Sequence, residues 1–151
     1  FNIDLIKNIY PNAKFIHTFR NPSDSAISIF QSMLPDLSWT HNIEDILLYM
    51  DHYHKVLEYF KSKYPDIIMD INLEEFTQKS EELAKKMLKF CGLTWNENIH
   101  NFYKRRDLYS KTLSFNQIRS KVLKYDNKKY QSYFNILNDF KDKYQWLDLS
   151  K

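Results

Sequence analysis

Apolar residues along the chain recur with two different periods. Ile43, Ile46, Leu47, Met50, Tyr53, Leu57 and Phe60 stand three or four residues apart, the stripe of an amphipathic helix. Asn42, with Asp45 three residues on, supplies a start signal, and Pro65 follows the end. Tyr130, Tyr133, Phe134, Leu137, Phe140 and Tyr144 predict a last amphipathic helix in the same way. By contrast, Lys14–Phe19 and Asp66–Ile71 are short, mostly apolar runs, the second holding Ile67, Ile68 and Met69. They predict two buried strands.

Local start and stop signals fill in the rest. Asn21 as N-cap, Pro22 at the first helical position and Asp24 at the third predict a helix directly after the first strand. Its expected apolar stripe is Ala26, Ile29, Phe30 and Met33, with Asp24, Ser28 and Ser32 on a polar one. Asp4–Tyr10 reads as a short helix closed by Pro11, and Met33–Thr40, which contains Pro35, as a loop. Leu83, Met87 and Leu88 mark a helix ending in Cys91-Gly92-Leu93, where Gly92 takes the left-handed position and Leu93 packs back. Asn96–Lys104 predicts another short helix, and Arg105–Asp126 a long basic segment with no steady period.

This order of helices around two strands predicts an α/β layer structure with parallel strands. Two parallel strands are too few to stand alone, because both faces and both edges need cover. The chain is therefore read as a single domain over 1–151 that is half of a larger sheet, or a fold completed by another segment.

Composition narrows the chemistry. At 151 residues, 43% hydrophobic and 17% aromatic, the chain suits one core. No apolar run approaches the roughly eighteen residues of a membrane span. The single cysteine, Cys91, excludes an internal disulfide and a cysteine-rich metal site. With no argument for an oxidising compartment, a cytoplasmic location is the expectation. Gly92 is the one glycine, which excludes glycine-rich loops of the Walker or dinucleotide type. A nucleotide would be held by side chains, or by a site only partly contained here.

Net charge is +3, but Asn101–Tyr130 holds nine Lys/Arg against two acids. Such a patch raises the local potential for anions, or is simply a solvated face. Arg20 ends the first predicted strand, where open α/β sheets bind their ligands, and its planar fork of donors matches phosphate oxygens. Ser28, two turns into the next helix, can donate to the same anion. The alternative for Arg20 is a structural salt bridge. His52 and His54, two apart on a helix, cannot chelate together. His17 reads as structural, and His41 and His100 have no evident partner.

The run Arg20-Asn21-Pro22-Ser23-Asp24, with Ser28 eight residues after the arginine, resembles the 3′-phosphate-binding element of sulfotransferases that use 3′-phosphoadenosine 5′-phosphosulfate. Pro11-Asn12-Ala13-Lys14-Phe15-Ile16 leads in as that family's strand does. Three further stretches follow in family order. Leu73-Glu74-Glu75-Phe76 is similar to Tyr-Glu-x-Leu, Phe90-Cys91-Gly92-Leu93-Thr94-Trp95 to F-L-G-L-x-W, and Thr112–Arg119 to T-x-S-x-x-Q-V-R of the tyrosylprotein and related bacterial branch.

The resemblance implies the C-terminal portion of a three-layer, parallel-sheet, P-loop-hydrolase-like sulfotransferase fold, mostly helical in this segment. The implied activity is transfer of a sulfuryl group from 3′-phosphoadenosine 5′-phosphosulfate to a hydroxyl acceptor, without a metal. Carried over by position, the cofactor contacts are Arg20, Ser28, Ser114 and Lys129, with Arg119 a further one. Leu73 departs from the family's tyrosine, Lys121 from its proline, and Ser32 from a second arginine. The phosphosulfate loop and the base lie upstream of the matching region, so no catalytic residue is assigned and the chain alone is expected to be inactive. Expected partners are the nucleotide co-substrate and an unspecified hydroxyl acceptor, with no nucleic acid. Two rivals remain: a non-catalytic basic α/β module that binds phosphate or nucleic acid, and a degenerate sulfotransferase kept as an interaction domain.

Overall fold

The computed structural model describes residues 2–105, 119–126 and 128–147. They divide into two compact units, Phe1–Asn72 with Asp126–Lys151, and Leu73–Tyr125.

The first unit runs α1 (Ile3–Ile9), β1 (Phe15–Phe19), α2 (Pro22–Ser32), a 3-10 turn (Ser38–His41), α3 (Ile43–Lys63) and β2 (Ile68–Asn72), and then a C-terminal 3-10 segment, Gln131–Phe140. β1 and β2 pair in parallel, from Phe15 opposite Ile68 to Phe19 opposite Asn72, with α2 and α3 as the crossover. Asn42 caps α3: its Oδ1 accepts from the amides of Glu44 at 2.8 Å and Asp45 at 3.4 Å, satisfying donors the helix cannot.

The core lies among helices rather than around the sheet. Ala26 and Ile27 of α2, Ile46, Leu47 and Met50 of α3, and Tyr130, Phe134, Leu137, Tyr144 and Leu147 form one buried cluster. The strands are less buried than their composition predicts. Ile71 is 3% exposed, whereas Ile16 and Phe19 of β1 are 36% and 41% exposed. Side chains alternate across a strand, so Ile16 and Phe19 lie on opposite faces, and neither face of this two-stranded sheet is fully covered along β1.

Two further expectations change. The buried face of α2 is Ser23, Asp24, Ala26 and Ile27, with Ile29 and Phe30 packed partly against the core. Asp24 belongs to that face and not to a solvent stripe. It sits in the first turn, where helix amides and dipole favour a carboxylate. Met33 is exposed and takes the left-handed position that ends α2, at φ 38°. The C-terminal stripe folds as 3-10 turns and not as an α-helix. Phe134, Leu137 and Phe140 lie three apart, and in 3-10 geometry that spacing stacks them on one ridge against the core.

The second unit holds α4 (Leu73–Gln78), α5 (Ser80–Cys91) and a 3-10 segment, Glu97–Lys104. Gly92 closes α5 at φ 72°. The Gly92 amide donates to the Lys89 carbonyl at 3.1 Å and the Leu93 amide to that of Leu88 at 2.8 Å, the double bond of a Schellman cap. Leu93 does not pack back; it is exposed, and the backbone alone makes the cap. The Tyr125 amide donates to Thr77 Oγ1 at 3.0 Å, tying the end of the unit to α4. Among the described residues, no helix is long and apolar enough to cross a membrane.

Candidate functional site

The strand–turn–helix at Arg20 forms as its residues predict. β1 ends at Phe19, and Asn21 turns the chain into α2 with Pro22 at its first position. Asn21 Oδ1 accepts from the Ser23 amide at 2.8 Å and the Asp24 amide at 3.2 Å. Ser25 Oγ donates to the Asn21 carbonyl at 3.1 Å and accepts from Arg20 Nε at 3.2 Å. The guanidinium is thus held by one edge, through a hydroxyl that is itself fixed by the turn. No carboxylate among the described residues pairs with Arg20, so the salt-bridge alternative finds no support there.

Tyr130 brings the other expected residues to this point. Its hydroxyl donates to Ser28 Oγ at 3.3 Å. Its ring has Arg20 Cζ 5.8 Å and Lys129 Nζ 4.9 Å from the centroid, both within cation–π range. The hydrogen bond to Ser28 holds the phenol below its usual pKa against the effect of burial, with help from Lys129 and Arg20. Arg20, Ser28 and Lys129 therefore surround one buried tyrosine ring. Two cations and a hydroxyl so placed suit a multiply charged anion.

Ser114 lies outside the described residues. Arg119 is half-buried and falls in the second unit. Ser32 donates to the Ser28 carbonyl at 2.7 Å, bonding back along its own helix. Leu73 begins α4. Ser25 and Tyr130 escaped the sequence reading. Ser25 looked like one serine among several, and Tyr130 fitted the apolar stripe, so neither carried a separate signal.

The histidines divide differently. His17 Nδ1 bonds Asp70 Oδ1 across the sheet at 2.7 Å, and Lys61 pairs with Asp70 Oδ2 at 2.8 Å. This supports a structural role for His17. His41 and His100 do have partners: His41 Nε2 meets the Leu34 carbonyl at 3.0 Å, and His100 Nε2 stands 3.6 Å from Glu81 and 3.7 Å from Glu97.

The parallel strands and their helices define an α/β protein, in which the strand-end arginine, the Asx-capped helix and the serine on that helix form a candidate anion site. Comparison with known proteins makes this more particular. The model of the sulfotransferase family matches residues 1–97, which takes in β1, the Arg20 turn, α2, both strands and α5. The chain belongs to the sulfotransferase family. It is also 30% identical over 146 residues to an uncharacterized protein of Aquifex aeolicus (strain VF5), a match covering 89% of this chain. The chain spans 18% of that relative's length.

Proposed function

We propose that the chain supplies the 3′-phosphate-binding half of an enzyme that moves a sulfuryl group from 3′-phosphoadenosine 5′-phosphosulfate to a hydroxyl acceptor. Residues 1–151 are read as the C-terminal portion of a single sulfotransferase domain, similar to the tyrosylprotein and related bacterial branch. The observation that carries this reading is the convergence of Arg20, Ser28 and Lys129 on Tyr130, directly after a strand end.

In the complete enzyme the acceptor oxygen attacks sulfur, its proton passes to a base, and the bond from sulfur to the 5′-phosphate oxygen breaks. The products are a sulfate ester and 3′-phosphoadenosine 5′-phosphate. This chain's residues hold the nucleotide. Arg20 presents guanidinium donors to the 3′-phosphate, Ser28 its hydroxyl and Lys129 a second cation, while Ser114 serves as a further cofactor contact.

Calorimetric titration of 3′-phosphoadenosine 5′-phosphate into the protein tests this. A buried charge-assisted contact contributes about 1.5–3 kcal/mol, so Arg20→Ala should weaken binding roughly ten- to a hundredfold. Adenosine 5′-phosphate, which lacks the 3′-phosphate, should not respond to the substitution. Equal affinity of wild type and Arg20→Ala for the 3′-phosphorylated nucleotide would remove the assignment.

A further inference from the structure

The Leu73–Tyr125 unit contains a cavity of about 750 Å³, within the range of small-molecule sites. Its walls include Phe76, Ala84, Trp95, Ile99, Phe102 and Tyr103, and its polar positions include Glu81, His100 and Lys121. All of these residues belong to one compact unit. The cavity's lining residues fall outside the stretches of sequence that carry Arg20, Ser28 and Lys129.

The aromatic wall is already arranged. Trp95 Nε1 donates to Glu97 Oε1 at 2.8 Å. Lys85 Nζ lies 4.9 Å from the Trp95 ring centroid, and the His100 ring meets Trp95 edge-on at 5.3 Å. An indole fixed on several sides loses little freedom when a flat ligand stacks on it.

Charge decides the ligand's sign. Glu81 is engaged by Lys85 and faces His100, so its negative charge is largely met. Lys121 and Lys104 each place Nζ 5.8 Å from the Tyr103 ring centroid, and no carboxylate among the described residues pairs with either. With lysines over Trp95 and Tyr103, the rings are poor hosts for a cationic ligand. Lys121, which lines the cavity, favours an anion.

We propose that this cavity is a binding site for a flat aromatic molecule carrying one anionic group, with its ring against Trp95 and Tyr103 and its anion toward Lys121.

Naphthalene-2-carboxylate is a suitable probe, titrated into the full chain while the Trp95 indole N–H resonance is followed by NMR. One saturable site is expected. The carboxylate should bind about fivefold more tightly than neutral naphthalene-2-carboxamide, the scale of a partly exposed ion pair. Lys121→Ala should abolish that preference and Lys121→Arg keep it. Ala84→Leu should narrow the cavity and weaken binding of both probes; if it perturbs the backbone spectrum, Val122→Trp makes the same test from another lining position. Arg20→Ala should leave naphthalene-2-carboxylate binding unchanged. No saturable shift of Trp95 at millimolar probe, equal affinity for the two probes, or undiminished binding in both narrowed variants would each overturn the proposal.

Discussion

Tyr130 donates its phenol hydroxyl to Ser28 Oγ at 3.3 Å, across 102 residues of sequence. The tyrosine is 6% exposed, so it serves the core and the candidate site together. Its ring belongs to the cluster that holds α2 on α3, while its hydroxyl fixes the serine expected to meet phosphate. Packing and the candidate site thus meet on one side chain.

Tyr130→Phe separates the two roles. The ring and its packing stay, and the loss of one hydrogen bond should cost about 0.5–1.5 kcal/mol of stability, read from denaturant midpoints. Ser28 also loses its fixed orientation. Affinity for 3′-phosphoadenosine 5′-phosphate should fall several-fold, by less than the effect of Arg20→Ala. Unchanged affinity would confine Tyr130 to packing.

Ser25 is a positioning residue. Its hydroxyl joins Arg20 Nε to the Asn21 carbonyl, and Ser25→Ala leaves the guanidinium without that anchor. Weaker binding should appear for the 3′-phosphorylated nucleotide and not for adenosine 5′-phosphate, with Ser25→Thr restoring it. A uniform loss for both nucleotides would point to damage of the turn instead.

His54 makes stability depend on pH. Burial holds its pKa below the ordinary 6.5, outweighing Asp51, which pulls it up; His17 and Lys61 push the same way as burial, and Glu58 opposes them. Tyr53 and Trp146 rings flank it at 5.7 and 5.0 Å, and its Nε2 is buried without a hydrogen-bond partner. Because the folded pKa is depressed, the unfolded chain binds the proton more readily. Stability is complete above pH 6.5 and declines below it, until pH passes the lowered folded value. His54→Phe should flatten that part of a melting-temperature profile while leaving the lower carboxylate region, where Asp70 is held down by Lys61 and His17 against burial, in place.

Two helix ends predict opposite responses. Met33 is left-handed without being glycine, and its side chain is exposed. Met33→Gly should therefore stabilise the fold by about 0.5–1 kcal/mol. At Gly92, also left-handed, an added Cβ would meet nothing within 4 Å, so Gly92→Ala should cost about 1 kcal/mol through the backbone alone. Chemical denaturation of the two variants checks both signs, and a Gly92→Ala protein as stable as wild type would contradict the backbone argument.

Helix starts, strand positions and the turn at Arg20 were legible because they depend on neighbours in the chain. Asn21 and Asn42 cap the helices that follow them, Pro22 sits at the first helical position, and Gly92 ends α5, each through contacts within a few residues. The same locality let ordered motifs point to the sulfotransferase family. Burial was less legible. Periodicity could not show that Asp24 lies in the core, that β1 keeps Ile16 and Phe19 exposed, or that the last stripe stacks in threes rather than winding as an α-helix. Those outcomes depend on which surfaces distant segments bring together. Tyr130 is the plainest case: nothing near it in the chain distinguishes it from its aromatic neighbours. Only folding sets its ring beside Arg20 and its hydroxyl on Ser28, because those contacts join the first strand and the helix after it to a segment a hundred residues later.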